Sequence, residues 1–286
     1  MDEVYSRVSR TTKKILYQFM KDNDISILNY HFKHYFQYCV KKNNIHVIPH
    51  HFSNHKVEGL TIIDELGTSF SFEQNNPMVR QNFTLCHELG HFILNHEGCF
   101  FTETVYNQGE IIEREANIFS AVVLMPDIVL LSKIYYSCDS FYKVQTNLEV
   151  SRRALFFRLL DLLRNYYPEK EEQIKRAIED YTDGQNASIF LLLHDIKEKI
   201  VKEFKSYHPS IINKLIQILD DSGFTTSQVF PELLNQENWV VIKEEVPNLK
   251  IWVVYNKGKS LAYVWDQDKF TEKEARRKAE LQLLFL

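Results

Sequence analysis

The sequence predicts an α+β fold in two parts: a mainly helical first part with a small β-hairpin or sheet, and a smaller α/β part at its C-terminal side. Three observations predict it. Most segments before residue 168 have apolar residues at helical spacing. The run 57–74 reads as two short strands around a turn from Asp64 to Gly67. After a highly charged stretch at 168–186, helical runs flank three strand-like runs.

The composition is that of an ordered globular protein. The 286 residues are 44% hydrophobic and 25% charged, with only 8 Gly and 7 Pro, which excludes a disordered chain. This length suggests about two domains. The formal net charge of −4 argues against nucleic-acid binding by the whole chain, although a local basic patch stays compatible with it.

The cysteines and the apolar stretches indicate the cellular compartment of the protein. The four cysteines, at positions 39, 86, 99 and 138, form no Cys-x-x-Cys pair, and the chain starts without an apolar signal segment. The most apolar stretches, near 117–125 and 187–193, are too short to cross a bilayer. We therefore expect a cytoplasmic protein with no membrane partner.

The first 52 residues are predicted to form two helices and a strand. The helices cover 1–20 and 25–42, and the second is rich in aromatic residues at core spacing. The strand covers 45–52. Four histidines in and after it lack helical spacing and share no clear face, so we interpret them as surface or hinge residues: His46, His50, His51 and His55.

The pentapeptide His87-Glu88-Leu89-Gly90-His91 indicates a metal site. Residues four apart on an α-helix project only about 40° from each other, so both imidazoles can face one metal ion. Glu88 lies beside them, where it can deprotonate a water molecule. Asn76-Pro77 opens the helix, and the apolar residues around the motif predict that it is buried.

A catalytic zinc needs a third protein ligand and an open position for water. The helical segment 110–125, which stops at Pro126, places Glu113 and Glu115 in its first two turns. Either carboxylate can face back toward the two histidines. His96 lies just beyond the HELGH helix, and we interpret it as a residue that supports the site or is exposed.

These segments carry a resemblance to a known family. "QNFTLCHELGHFILNH" followed by "EREANIFSAVVLMP" resembles the ImmA/IrrE family of metallo-endopeptidases, and the similarity extends to about residue 165. The resemblance implies a zincin-like fold and one zinc ion per chain, with His87, His91 and Glu115 as ligands and Glu88 as the general base. Cys86 stands where the family usually has Ala, and we do not interpret it as a ligand.

A trihelical, helix-turn-helix-like segment is predicted at 127–165. Its last two helices, at 140–147 and 151–164, have a helix-turn-helix arrangement, and the arginines of the last helix favour nucleic-acid contact. Apolar residues of the last helix favour packing against the peptidase core instead. The arginines are Arg152, Arg153, Arg158 and Arg164.

The sequence is divided by these patterns into a peptidase domain at 1–167, a charged linker at 168–186 and a C-terminal domain at 187–286 of unknown role. The last domain is predicted to have the order α-β-β-β-α. Its helices lie near 187–204 and 209–220 and after Thr271, and its strands at 239–246, 249–256 and 260–265.

The combined prediction is a zinc-dependent endopeptidase. The second strand of the hairpin, Thr68 to Glu73, is expected to be an edge that binds a peptide as an added strand. By resemblance, the substrate is a DNA-binding repressor with a helix-turn-helix. One alternative is a regulator whose zinc is structural and which binds nucleic acid or protein. Nucleic acid would then be contacted through 140–165 or the C-terminal domain. Another is hydrolysis of a small amide.

Overall fold

The computed structural model describes residues 2–51, 57–65, 67–96, 100–104 and 111–285. The chain has an α+β fold and divides into two compact units, Met1–Tyr207 and His208–Leu286. The first unit contains one buried cluster of apolar residues and the second contains two. No single helix in the described ranges is long and apolar enough to cross a membrane; the bent pair Ile111–Leu124 and Asp127–Tyr136 passes by length and composition and is largely buried here.

The first unit is mainly helical. Its helices are α1 (Glu3–Asp22), α2 (Phe32–Lys42), α3 (Met78–Ile93), α4 (Ile111–Leu124), α5 (Asp127–Leu131, continued by a π-helical turn at Ser132–Tyr136), α6 (Phe141–Asn147), α7 (Arg152–Tyr166), α8 (Glu171–Thr182) and α9 (Ala187–Ser206). Its strands are β1 (His46–His50), β2 (Val57–Asp64), β3 (Gly67–Glu73) and β4 (Phe100–Thr104).

The predicted hairpin is confirmed, but its second strand is not an edge. Strands β2 and β3 pair antiparallel down to Asp64 opposite Gly67. The sheet order is β1-β3-β2-β4, with β1 parallel to β3. The prediction that Thr68 to Glu73 binds a peptide at an edge is therefore wrong, because the run 46–50 returns to cover that side. The outer strands of the described sheet are β1 and β4.

The first unit extends past the predicted linker. The stretch 168–186 contains helix α8, whose Ile174, Ala177, Ile178 and Tyr181 are buried in the main core. These residues repeat at helical spacing and pack with α9, a helix that the sequence pattern places in the C-terminal domain. The boundary between the compact units therefore follows Tyr207 rather than lying within 168–186.

The second unit contains a three-stranded antiparallel sheet of order β5-β7-β6. Its elements are α10 (Ile211–Ser222), β5 (Phe224–Thr226), a 3₁₀ turn (Pro231–Leu234), α11 (Gln236–Glu245), β6 (Leu249–Asn256), β7 (Lys259–Asp266) and α12 (Glu272–Leu284). Residues 239–246, predicted as a strand, lie mostly in α11. The side chain of Asn235 caps this helix at the amide of Glu237, and Ile242 is its buried residue.

The helix-turn-helix-like segment forms helices as predicted, but two of its four arginines are held by acidic residues. Arg158 is fully buried and donates to Asp127, to the carbonyl of Met125 and to the hydroxyl of Tyr5. Arg164 forms an ion pair with Glu171 of α8. These contacts join α7 to its neighbours, so the two side chains serve packing in the first unit.

A buried ion network connects α1, α5, α7 and α9. Asp127 accepts from Arg158 and, at 3.0 Å, from Lys13 of α1, which also lies 2.8 Å from Glu203 of α9. Burial acts to raise the pKa of Asp127, but Arg158 and Lys13 outweigh it and hold this pKa below its usual value. The carboxylate is therefore ionised inside the core.

Replacing Asp127 with Asn is expected to lower the free energy of unfolding by about 3 kcal/mol at pH 7, because it leaves the buried charge of Arg158 without its carboxylate. A carboxyl whose folded-state pKa is depressed stabilises the fold above its unfolded-state pKa, about 3.9. That stabilisation is lost as the pH falls through the folded-state pKa. The difference between wild type and variant should therefore shrink below about pH 3.9.

Urea unfolding at a series of pH values from 7 to 3 measures this difference. Exposed Asp183, replaced with Asn, is the matched control and should change stability by less than about 0.5 kcal/mol. An Asp127→Asn protein as stable as wild type at neutral pH would contradict the assignment.

Candidate metal centre

The HELGH motif lies in the buried second half of α3. This helix begins at Met78, directly after Pro77, and ends at Ile93. His87 and His91 are 1% exposed and Glu88 is 0% exposed. Burial of three titratable side chains on one helical turn requires compensating partners.

Helix α4 packs closely against α3 at Gly90. A Cβ atom at Gly90 would lie 3.2 Å from the Cα of Ala116 and 3.1 Å from the ring of Phe119. A side chain at this position would require its neighbours on α4 to move by a few tenths of an ångström. The close packing brings the first turns of α4, including Glu113, to the level of the two histidines.

The two predicted histidines lie together with Glu113. Nε2 of His87 lies 3.0 Å from Nε2 of His91 and 3.1 Å from Oε2 of Glu113. Nε2 of His91 lies 3.6 Å from Oε1 of Glu113. Ligand atoms of these three buried residues all fall within 4.8 Å of one another.

The predicted third ligand, Glu115, is not in this group. Its carboxylate accepts from Arg7 of α1 and contacts Nε2 of His96 at 3.1 Å. Helical geometry explains the difference, because residues two apart on a helix project about 200° apart. With Ala116 and Phe119 facing α3, Glu113 points toward the histidines and Glu115 does not.

The donor set fits a divalent metal ion. Ligands held tetrahedrally at about 2.0–2.1 Å from zinc lie about 3.3 Å apart, close to the 3.0 to 3.6 Å observed here. Oδ1 of Asn117 lies 3.0 Å from Nδ1 of His87, which places the ring proton there and leaves the lone pair on Nε2. Two lone pairs and a carboxylate then converge, an arrangement that a cation stabilises.

The protonation states agree with this role. Burial acts to raise the pKa of Glu113, but the contacts with His87 and His91 lower it to about 2. Burial lowers the pKa of His91, against an opposing effect of Glu113. An ionised carboxylate and neutral imidazoles are the forms that bind metal ions.

Glu88 points toward the sheet. Its Oε2 accepts a hydrogen bond of 2.6 Å from the hydroxyl of Thr61 in β2. A Cβ atom at Gly59 would lie 2.4 Å from its Oε1 and 2.4 Å from Cγ2 of Thr84. Strand β2 therefore positions this carboxylate in two ways. Thr61 donates a hydrogen bond to Oε2, and Gly59, which has no side chain, leaves the space that Oε1 occupies.

Other candidates from the sequence take different places. His96 is a supporting residue, because its Nδ1 lies 2.9 Å from Nδ1 of His91. Cys86 is buried, and burial raises the pKa of its thiol well above the usual value, so it is neutral. His55 and Cys99 lie outside the described residues.

Sequence reasoning missed Thr61, Gly59 and Arg7 in this site. None of them belongs to a motif. Thr61 and Gly59 contact α3 from strand β2, and Arg7 contacts α4 from helix α1. Asn117 gave a signal, since it lies four residues after Glu113 on the same side of α4.

Replacing Glu113 with Gln is expected to weaken zinc binding by roughly 100-fold or more, because it removes the only carboxylate beside the two imidazoles in the described part of the site. Competition against a chromophoric chelator measures the affinity. The control Glu172→Gln changes a side chain that is 79% exposed on α8 and should bind zinc as wild type does. Equal affinity of Glu113→Gln and wild type would exclude Glu113 as a ligand.

Comparison with known proteins agrees with the geometry. Residues 40–160 match a peptidase family described as the IrrE N-terminal-like domain. This range contains α3 and α4 with His87, Glu88, His91 and Glu113, and it confirms the resemblance carried by the HELGH and EAN segments. No curated protein matches the chain. The family supports a function of the metallopeptidase type. Residues 40–160 are thus similar to the IrrE N-terminal-like domain, which supports the resemblance to the ImmA/IrrE family.

Proposed function

We propose that the protein is a zinc-dependent endopeptidase that cuts a specific protein substrate. The observation that carries the proposal is the convergence of His87, His91 and Glu113 beside the buried Glu88. His87, His91 and Glu113 would hold one zinc ion per chain. Zinc bound there supplies Lewis-acid chemistry, which polarises the scissile carbonyl and makes a water molecule more acidic.

Glu88 acts as the general base. Its carboxylate takes a proton from the attacking water and then delivers that proton to the leaving amine. The hydroxyl of Thr61 holds Oε2 at 2.6 Å and so orients the carboxylate. Gly59 has no side chain, and this leaves the space that Oε1 occupies.

An extended peptide fits the outer side of the sheet near this base. Strand β2 contacts Glu88, and β4 pairs with β2 as the outer strand of the described sheet. A substrate added along β4 would gain main-chain hydrogen bonds. This placement replaces β3 as the peptide-binding strand and favours a polypeptide over a small amide.

The substrate and the compartment are part of the proposal. The resemblance to the ImmA/IrrE family favours a DNA-binding repressor with a helix-turn-helix as the substrate. The free thiols of Cys39, Cys86 and Cys138 fit a reducing compartment such as the cytoplasm. Limited cleavage of one regulator, rather than general degradation, is the expected outcome.

Replacing Glu88 with Gln should leave zinc bound and lower cleavage by about 10²–10⁴-fold, since the amide cannot accept the proton of water. Cleavage of a proteome-derived peptide library, read by mass spectrometry, measures this loss across many candidate sequences at once. Glu172→Gln serves again as the control. Undiminished cleavage by Glu88→Gln, or cleavage by wild type that a chelator leaves intact, would refute the mechanism.

Thr61 provides a second test of the base. Thr61→Val removes the hydroxyl at nearly constant volume and is expected to reduce cleavage roughly 10–100-fold with little change in zinc affinity, because the base is no longer oriented. Thr61→Ser keeps the donor and should retain most of the activity. Equal rates for the valine and serine variants would show that the hydroxyl does not position Glu88.

A further inference from the structure

A chain of polar contacts leads from the metal-binding histidines to the N-terminal helix. Nδ1 of His91 lies 2.9 Å from Nδ1 of His96. Nε2 of His96 lies 3.1 Å from Oε2 of Glu115, and Oε1 of Glu115 accepts from Arg7 of α1. We call these four residues the His91–Arg7 relay.

One arrangement of protons satisfies the three contacts named above with neutral imidazoles. Nε2 of His91 is the atom that would bind the metal ion of the proposed site, so its ring proton would be on Nδ1 and would donate to Nδ1 of His96. His96 then carries its own proton on Nε2 and donates to Glu115. This order ends on a carboxylate, the partner that commonly fixes the tautomer of a metal-binding histidine.

Burial makes the relay depend on Arg7. The side chain of Glu115 is 10% exposed and that of His96 is 5% exposed, whereas that of Arg7 is 61% exposed. The guanidinium supplies the positive charge for a carboxylate that is otherwise removed from water. Without it, Glu115 would be a less stable acceptor for His96.

Arg7 lies outside residues 40–160, the range that matches the family. A second ion pair, between Arg114 of α4 and Asp2, joins the same two helices without touching the relay. Helix α1 can therefore have two roles that the two ion pairs distinguish. Both pairs contribute to docking of α1 on α4, whereas of the two only the Arg7–Glu115 pair is connected to His91.

We propose that Arg7 is a positioning residue of the metal centre, acting through Glu115 and His96 to fix the tautomer and orientation of His91. The proposal rests on the proposed metal site and assigns α1 a part in it. Glu115 thus contributes to metal binding indirectly: it accepts the hydrogen bond of His96, which in turn accepts that of His91.

Zinc affinity of the full-length protein, measured by competition with a chromophoric chelator, tests the relay. Arg7→Ala is expected to bind zinc about 10–100-fold more weakly than wild type. Arg7→Lys keeps a cation for Glu115 and should recover most of the affinity. Arg114→Ala, the matched control, removes the other ion pair between α1 and α4 and should bind zinc as wild type does.

A double-mutant cycle gives a readout that general loss of stability does not reproduce. Glu115→Ala should weaken zinc binding about as much as Arg7→Ala, and the double variant should lose little more, because both changes break one relay. Thermal unfolding in the presence of a chelator identifies any variant whose apo fold is lost. If Arg7→Ala is such a variant, Arg7→Gln replaces it, and zinc affinity is measured at a temperature at which Arg7→Gln is folded.

The possible results separate this proposal from the function on which it rests. If wild type binds zinc no better than Glu113→Gln, the metal site itself is refuted. If wild type binds zinc tightly and Arg7→Ala binds it equally well, only the relay is overturned. Equal weakening by Arg7→Ala and Arg114→Ala would also overturn it, since docking of α1 would then account for the effect.

Discussion

The close packing of α3 against α4 at Gly90 is the constraint on which the metal centre depends. A Cβ atom at this position would lie only 3.1 Å from Phe119 and 3.2 Å from Ala116, so these neighbours would have to move by a few tenths of an ångström. Gly90 lies between His87 and His91, and Ala116 lies one helical turn after Glu113. Contact at the two small residues therefore sets the distance between a carboxylate on one helix and two imidazoles on the other.

Local spacing made part of this site predictable and left the rest undetermined. His87, Glu88 and His91 share one helical turn, so their relative positions follow from the sequence alone. The choice between Glu113 and Glu115 depends on how α4 is rotated about its axis, which packing against α3 decides. Ala116 and Phe119 do belong to a predicted apolar stripe, and Glu113 projects nearer to that stripe than Glu115 does.

Errors elsewhere in the fold have the same origin. The charged stretch 168–186 has the composition of a linker because acidic and basic residues dominate it, yet α8 buries one narrow apolar face of it. The run 239–246 has β-branched residues typical of strands, but an Asn cap and one buried isoleucine suffice for a helix there. Strand β3 is internal because β1, distant in sequence, pairs with it in parallel. The burial of α8 and the internal position of β3 depend on partners that local patterns do not reveal.

Helix α1 carries out two separate tasks for the family domain. Within residues 40–160, the carboxylates of Glu115 and Asp127 are buried, and each has basic partners that include one from α1. Arg7 and Lys13 are those partners, and Lys13 in turn meets Glu203 of α9. Residues 40–160 taken alone would thus lose a basic partner of each buried carboxylate, one in the core and one beside the metal centre. The compact unit that holds the candidate metal centre is accordingly Met1–Tyr207, which is larger than the segment that matches the peptidase family.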